Sequence, residues 1–291
     1  MWLDPMPTPE DIHEAYQSYF THDAAPPPTA LKRLYHRVRL GYLARRFGYG
    51  NGSVASWQRT LGAVAGPVPH LRARFDFNAM WLSAKPGGRL LEVGSGRGDA
   101  LKFFMELGWQ AQGVDFDPAA VAIARSRTLD VRHGSLHAQA YPAESFDAVV
   151  MSHVIEHLHD PLGTTKECRR ILRQGGKMVA LTPNTGSLGH RLFGRHWLHL
   201  DPPRHLHLFN SHNLSKLFVE AGFKRVSCFA VIRDAEWTLG ASWQIKRRGF
   251  YRMGALPFWL WLSGFVMMYA EWLAMIFAPQ LGEEIVVIAE K

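Results

Sequence analysis

Hydrophobic and polar positions along this chain follow two periods. Through about residue 78 the apolar residues recur at helical spacing, and beyond it short unbroken apolar runs alternate with helical patterns. Those runs predict strands at 90–93, 111–115, 131–136, 146–152, 177–182, 225–232 and 284–289, most of them buried on both faces. Strands separated by helices predict an α/β fold on a parallel sheet. Residues 1–78 read as a helical accessory region and 79–291 as the sheet domain. In the accessory region, Thr8-Pro9-Glu10-Asp11 starts a helix expected to reach about Phe20, and Pro26-Pro27-Pro28 is a stiff spacer. Thr29 caps a helix through about Phe47, with an apolar stripe of Leu31, Leu34, Tyr35, Val38 and Tyr42. Further helical patterns lie near 54–64 and 69–83. In the sheet domain Asp99, Asp117-Pro118, Asp160-Pro161 and Ser211 open helices. The third of these should end near Gly175-Gly176, and a long His-rich loop follows Pro183-Asn184.

The stretch Arg89-Leu-Leu-Glu-Val-Gly-Ser-Gly-Arg-Gly-Asp99 joins a buried strand to a helix through a glycine turn. Glycine lets backbone N–H groups approach a ligand closely, so strand, turn and helix N-terminus form a cradle for a nucleotide-like molecule. The glycines stand at 94, 96 and 98, whereas a dinucleotide fingerprint places the third one residue later, which disfavours a nicotinamide dehydrogenase.

Composition narrows the picture further. With 47% hydrophobic and 20% charged residues the chain is globular in character, and no repeat of fixed period is apparent. Cys168 and Cys228 match no metal spacing and read as small core residues compatible with a reducing cytoplasm. The first residues lack the basic-then-apolar pattern of a signal peptide. Charge is uneven: between Asp23 and Asp76 stand nine basic residues and no acidic one, enough to supply the whole net charge of +8. Such a field suits an anionic partner, although solvated helix faces give the same composition.

Five segments in order resemble class I S-adenosylmethionine-dependent methyltransferases. They are Glu92-Val-Gly-Ser-Gly-Arg-Gly98, Gly-Val-Asp115, Ser-Phe-Asp-Ala-Val149 with Glu156-His157-Leu158 after it, Gly-Gly-Lys177, and Thr182-Pro-Asn184 followed by Pro203-Arg-His-Leu-His-Leu-Phe209. The last resembles a bacterial subgroup that includes quinone-type, sugar and cell-envelope methyltransferases. The resemblance implies a Rossmann-like, seven-stranded, mostly parallel sheet with helices on both faces and an antiparallel last strand. It implies S-adenosyl-L-methionine as cofactor, with Glu92 and Gly94 near its methionine end and Ser95, Gly96, Gly98, Phe116 and Ser152 around it. Asp115, at a strand end about twenty residues past the turn, can accept both ribose hydroxyls. Many relatives carry an acid where Ser135 stands, so backbone groups of Ser135 and Leu136 are expected to meet the adenine instead.

Methyl transfer is an in-line displacement, and a weak nucleophile such as a hydroxyl needs a base. Histidine suits that role near neutral pH. The candidates are His153 and His157 after the fourth strand and His205 and His207 after the fifth; His157, His205 and His153 are taken as the catalytic set. In the family, some sugar C-methyltransferases have a catalytic histidine in a loop loosely similar to that of His205. The cluster His190, His196, His199, His205 and His207 has neither zincin spacing nor a nearby cysteine, so no metal is expected.

Between the sixth and seventh strands, residues 233–282 form an insert with Lys246, Arg247, Arg248 and Arg252 before a long apolar run. The run is long enough to cross a membrane, but the seventh strand must return to the sheet of the sixth. A helical hairpin broken near Ser263-Gly264 and lying at an anionic membrane interface satisfies both facts, with Phe258, Trp259, Trp261, Leu262, Phe265 and Met268 as its apolar surface. A buried lid or dimer surface is the rival. The expectation is therefore a cytoplasmic, peripherally membrane-bound enzyme methylating a hydroxyl of a lipid-linked sugar, glycolipid, quinone precursor or other hydrophobic small molecule. An RNA methyltransferase using the basic segment is the alternative, but the Asn/Asp-Pro-Pro-aromatic signature of nucleobase enzymes is absent after the fourth strand, where Ser152-His-Val-Ile stands. A non-catalytic membrane scaffold keeping the fold is the other.

Overall fold

The computed structural model describes residues 3, 6–8, 29–50, 52–251 and 256–291. The helix expected to start at Thr8 and reach about Phe20 lies outside them beyond Thr8, as do the spacer Pro26–Pro28 and Arg252. Seven strands form one mixed, mostly parallel sheet in the order β3-β2-β1-β4-β5-β7-β6. These are β1 (Arg89–Val93), β2 (Gln110–Asp115), β3 (Val131–His133), β4 (Phe146–Ser152), β5 (Leu172–Pro183), β6 (Arg225–Val231) and β7 (Glu284–Glu290). β1 pairs with β2 and β2 with β3 in parallel, whereas β6 and β7 run antiparallel from Arg225 opposite Glu290 to Val231 opposite Glu284. Leu90, Leu91, Phe146 and Val149 are fully buried, as their unbroken apolar runs require, and each large side chain removed from water contributes about 1.5–3 kcal/mol.

Two compact units divide the chain, one formed by residues 18–150 and 170–179 and the other by 1–17, 151–169 and 180–291. In the first, α1 (Ala30–Phe47), α2 (Ser56–Ala65) and α3 (Pro69–Asn78) precede β1, and α4 (Asp99–Glu106) and α5 (Pro118–Ser126) follow β1 and β2. Thr29 caps α1 as expected, accepting the Lys32 N–H. Its apolar stripe is not buried throughout: Leu31 and Leu34 are exposed, and only the segment from Gly41 to Ala44 is enclosed. The reason is where α1 meets α2. A Cβ on Gly41 would stand 1.8 Å from the Gln58 carbonyl oxygen, and one on Gly62 would stand 2.2 Å from the Tyr42 nitrogen, so the helices touch backbone to backbone there. Several of the nine basic residues are also spent inside the unit. Arg46 and Arg72 flank the buried Asp76, Arg39 lies over Phe103, and Arg59 donates to the Val54 carbonyl. The free basic field is correspondingly smaller than composition suggests.

The second unit contains α7 (Leu188–Phe193), α8 (Ser211–Glu220), α9 (Ala235–Arg248) and α10 (Phe258–Phe277). Asn210, not Ser211, caps α8: its side chain accepts from the His212 and Asn213 N–H groups. The His-rich segment is not a plain loop, because α7 and two short 3-10 turns occupy it. Helix α6 (Pro161–Ile171) ends before the expected Gly175, and β5 takes over at Leu172. Cys168 is buried, while Cys228 is only partly so. The largest correction concerns the insert. Helix α10 runs unbroken through Ser263-Gly264, and α9 ends earlier at Arg248 as a separate helix. Gly264 is a contact point and not a break: a Cβ there would lie 1.9 Å from the Glu236 carbonyl oxygen on α9.

Candidate active site

In the first unit the glycine turn is bound to the end of β2. The Gly94 and Ser95 N–H groups both donate to the Val114 carbonyl, at 2.8 and 3.3 Å. Gly98 has φ +79°, and a Cβ there would strike Leu129 Cδ1 at 2.4 Å, so both backbone and space demand glycine. Close approach also fixes Gly113 in β2, where a Cβ would meet Ser95 Oγ at 2.5 Å. Asp115 closes the cradle: Oδ2 accepts the Gly96 N–H at 2.7 Å and Oδ1 the Asp117 N–H at 2.9 Å. Each carboxylate oxygen has a second lone pair, so two hydroxyls can still be accepted.

The electrostatics of this cradle are unbalanced. Burial, then the charges of Asp115 and Asp99, raises Glu92 to about 8. Burial also raises Asp115, against the backbone hydrogen bonds that lower it. Glu92 Oε2 and Ser95 Oγ are buried and have no hydrogen-bond partner among the described residues. Asp99, at the first turn of α4, is by contrast paired to Arg97 at 2.6 Å and Arg127 at 2.8 Å. A buried carboxyl and hydroxyl left unsatisfied fit a ligand that brings a cation and hydroxyls, and S-adenosylmethionine is such a ligand. Phe116 is exposed just beyond Asp115, and its carbonyl lies 3.0 Å from His133 Nε2. Ser135 is exposed and caps its own turn, accepting the Ala138 N–H on its side chain and Gln139 Nε2 on its carbonyl. Leu136 is buried beside it.

The second unit holds Ser152, His153, His157 and His205. Ser152 ends β4 half-buried, and His153 follows with φ +53°, a left-handed conformation uncommon outside glycine. Its N–H donates to the Leu181 carbonyl, Nδ1 lies 3.2 Å from Glu156 Oε1, and Nε2 lies 2.8 Å from Glu284 Oε1. Burial disfavours charge on this ring, but the hydrogen bonds and charges of Glu156 and Glu284 outweigh it and raise His153 to about 9. Arg233 grips Glu284 from the other side, Nε to Oε2 and Nη2 to Oε1, both at 2.9 Å. Its Nη2 also lies 2.9 Å from His153 Nε2. Glu156 faces one ring nitrogen, and Glu284 and Arg233 together face the other. The two carboxylates favour the charged ring, whereas a base needs the neutral one.

Glu156 organises what surrounds it. Oε2 accepts the Thr182 hydroxyl at 3.0 Å, and its carbonyl accepts the Leu206 and His207 N–H groups, fastening the loop of His205. His157 Nδ1 donates to the Arg204 carbonyl at 2.8 Å and His205 Nδ1 to the His199 carbonyl at 2.7 Å. In the neutral form of each ring these bonds place the lone pair on Nε2, and the two ring centroids are 4.8 Å apart. Burial lowers His205, so it is neutral at pH 7. Glu156, His157 and His205 bring one potential metal-ligand atom each within 4.8 Å of the others, with both Glu156 oxygens already engaged. The five histidines weighed as a metal cluster do not form one ligand set among the described residues. His190 donates to the Thr185 carbonyl and packs on Trp197, and His199 meets Thr238. Glu156, Arg233 and Glu284 are the framework residues that sequence reasoning did not assign. The one signal for Glu284 was an acid opening an apolar strand.

A glycine turn opening a helix, a carboxylate ending the next strand and an antiparallel last strand make up the fold of class I S-adenosylmethionine-dependent methyltransferases. The chain belongs to the methyltransferase-domain family, whose model matches residues 70–227. It is 35% identical over 154 residues to a Mycolicibacterium smegmatis protein named "Probable S-adenosylmethionine-dependent methyltransferase", covering 51% of this chain and 57% of that one. It is 32% identical over 136 residues to a ubiquinone biosynthesis O-methyltransferase of Cereibacter sphaeroides, covering 44% and 55%. The matches thus span little more than half the length of these curated relatives. A solved S-adenosylmethionine-dependent methyltransferase of Archaeoglobus fulgidus shares the fold, with TM-score 0.50, 19% identity, and coverage of 72% of this chain and 88% of that one.

Proposed function

We propose that this methyltransferase acts on a hydroxyl of a small hydrophobic or lipid-linked acceptor, such as a polyprenyl-linked sugar, a glycolipid or a quinone precursor, in the cytoplasm. The observation that carries the reading is the pair His157 and His205, each with its Nδ1 proton tied to a backbone carbonyl and its basic nitrogen fixed. An alcohol or phenol is a poor nucleophile unless its proton is removed as it attacks, and a neutral imidazole does this at neutral pH. The naming of a C. sphaeroides relative as an O-methyltransferase of ubiquinone biosynthesis points the same way. When bound, S-adenosylmethionine would supply an electrophilic methyl group to the hydroxyl oxygen. The chain's own part is to bind that donor through Glu92, Ser95, Gly96 and Asp115 and to take the hydroxyl proton on an imidazole Nε2. Glu156 acts through position, holding the backbone of the His205 loop.

Incubation with methyl-labelled S-adenosylmethionine and a lipid extract, followed by identification of the labelled product, tests the acceptor class. His157→Ala or His205→Ala, whichever removes the base, is expected to lower turnover about 10²–10⁴-fold with cofactor affinity little changed. Full turnover in both single variants and the double variant across the histidine range of pH sinks the base assignment. A product labelled only on carbon or nitrogen sinks the hydroxyl.

A further inference from the structure

Helix α10 is the most apolar of the described α-helices, and its sides differ. Leu260, Gly264, Met268 and Glu271 are buried, with Gly264 set against the backbone of α9. The outer side presents Phe258, Leu262, Val266, Leu273, Ile276 and Phe277, all exposed, with Phe277 at 90%. Soluble proteins rarely leave an apolar stripe of this length in water, and a core helix of the same composition would be mostly enclosed. Of the residues expected on the apolar surface, Met268 faces inward and Phe265 is half-buried.

Charge identifies the occupant. α9 ends in Lys246, Arg247 and Arg248, all exposed, and the Arg247 guanidinium lies 5.4 Å over the Trp259 ring in the first turn of α10. Cations and indole rings therefore share one end of the helix pair, and aliphatic residues continue along it. That is the arrangement of an interfacial helix, with basic groups at lipid phosphates and aromatic rings at the headgroup boundary. Topology excludes a crossing. β6 and β7 pair over their whole lengths, so the insert leaves and returns at one sheet edge. α9 has 14 residues, which is about 21 Å of helix, too short for a hydrocarbon core of about 30 Å.

We propose that the outer face of α10, with the basic end of α9, docks this enzyme in the plane of an anionic bilayer leaflet. The inference does not depend on the acceptor, and its test uses vesicles that contain none. The full chain is floated with phosphatidylglycerol-containing vesicles and with phosphatidylcholine vesicles at low ionic strength. Wild type is expected to rise with the first and bind the second at least 10-fold more weakly. Val266→Asp with Ile276→Asp should abolish flotation, and Lys246→Glu with Arg247→Glu and Arg248→Glu should remove the preference for anionic lipid. Salt at about 1 M, where screening shortens to roughly 3 Å, should weaken binding without abolishing it, because the apolar contribution survives. Unchanged cofactor affinity and melting temperature establish that the variants fold. Wild type left at the bottom of the anionic gradient overturns the proposal. So does a dimer in light scattering that Val266→Asp converts to monomer, which assigns the face to a second copy of the chain.

Discussion

Glu92 and Asp115, in the unit of the glycine turn, are held above the ordinary carboxylate range, whereas Glu156 and Glu284, in the unit of the histidines, are held below it. Burial pushes all four upward. In the second unit it is overcome by cations at hydrogen-bond distance, His153 between the two glutamates and Arg233 on Glu284. In the first unit Asp115 meets backbone N–H groups, and the Arg97 and Arg127 guanidiniums are given to Asp99. A buried carboxyl group without a protein cation costs stability unless a ligand completes it. The difference separates a binding site from a frame: the cradle is incomplete by itself, and the histidine network is already neutralised. Substitutions should therefore be felt as lost binding in the cradle and as lost stability in the network of His153, Glu156, Glu284 and Arg233.

The largest expected effect is on the cradle. Asp115→Ala removes a charged acceptor for two hydroxyls, each such bond contributing about 1.5–3 kcal/mol. Cofactor affinity measured by calorimetry should fall about 10²–10⁴-fold, while cooperative unfolding persists. Wild-type affinity in this variant would collapse the distinction between the regions.

His153→Ala tests the other side. It leaves Glu156 without its imidazolium and Glu284 with Arg233 alone, and breaking a buried pair costs about 3–5 kcal/mol. Denaturant midpoints should show that loss, with cofactor affinity as the control. The pH dependence has a definite sign. Because the folded-state value of His153 is raised to about 9, its stabilisation is fully present below the unfolded value near 6.5 and is lost as pH rises through 9. The stability gap between wild type and His153→Ala should close over that window. A constant gap would mean that the ring is neutral in the folded protein.

Legibility in the sequence divides along the same line. The cradle could be read because its parts lie within one short stretch: a buried strand, three glycines, and an acid 19 residues from the glycine it holds. Local chemistry sets its geometry, so pattern and spacing carried the information. His153 and Glu284 are 131 residues apart, and nothing near either names the other. The histidines were visible as chemistry, but the tautomers of His157 and His205 depend on the carbonyls of Arg204 and His199, which only the folded loop brings near. Adjacent Asn210 and Ser211 are both good caps, and the extended backbone of Asn210 decides between them. Gly264 looked like a helix break because glycine weakens helices. Its use here, close approach of α9, is a tertiary fact.

The finest test sets one buried hydroxyl against another. Thr182 is fully buried, and its hydroxyl donates to Glu156 Oε2 at 3.0 Å, a bond made within the protein itself. Thr182→Val keeps the shape and removes a charge-assisted hydrogen bond, so unfolding free energy should drop by about 1.5–3 kcal/mol, with no change in cofactor affinity. Ser95 is almost as buried, but its hydroxyl has no partner among the described residues, only the backbone of Gly113 close enough to forbid a Cβ there. Removing an unsatisfied buried hydroxyl relieves a desolvation cost, so Ser95→Ala should leave the cofactor-free protein as stable as wild type or slightly more so. If the hydroxyl waits for the cofactor, the same variant loses one neutral hydrogen bond on binding, about 0.5–1.5 kcal/mol, which is roughly a 2–10-fold weaker dissociation constant. Paired denaturation and calorimetry on the two variants read both quantities. Stability lost in Ser95→Ala with affinity unchanged would make that hydroxyl structural, and the glycine turn would then be a finished frame like the histidine network.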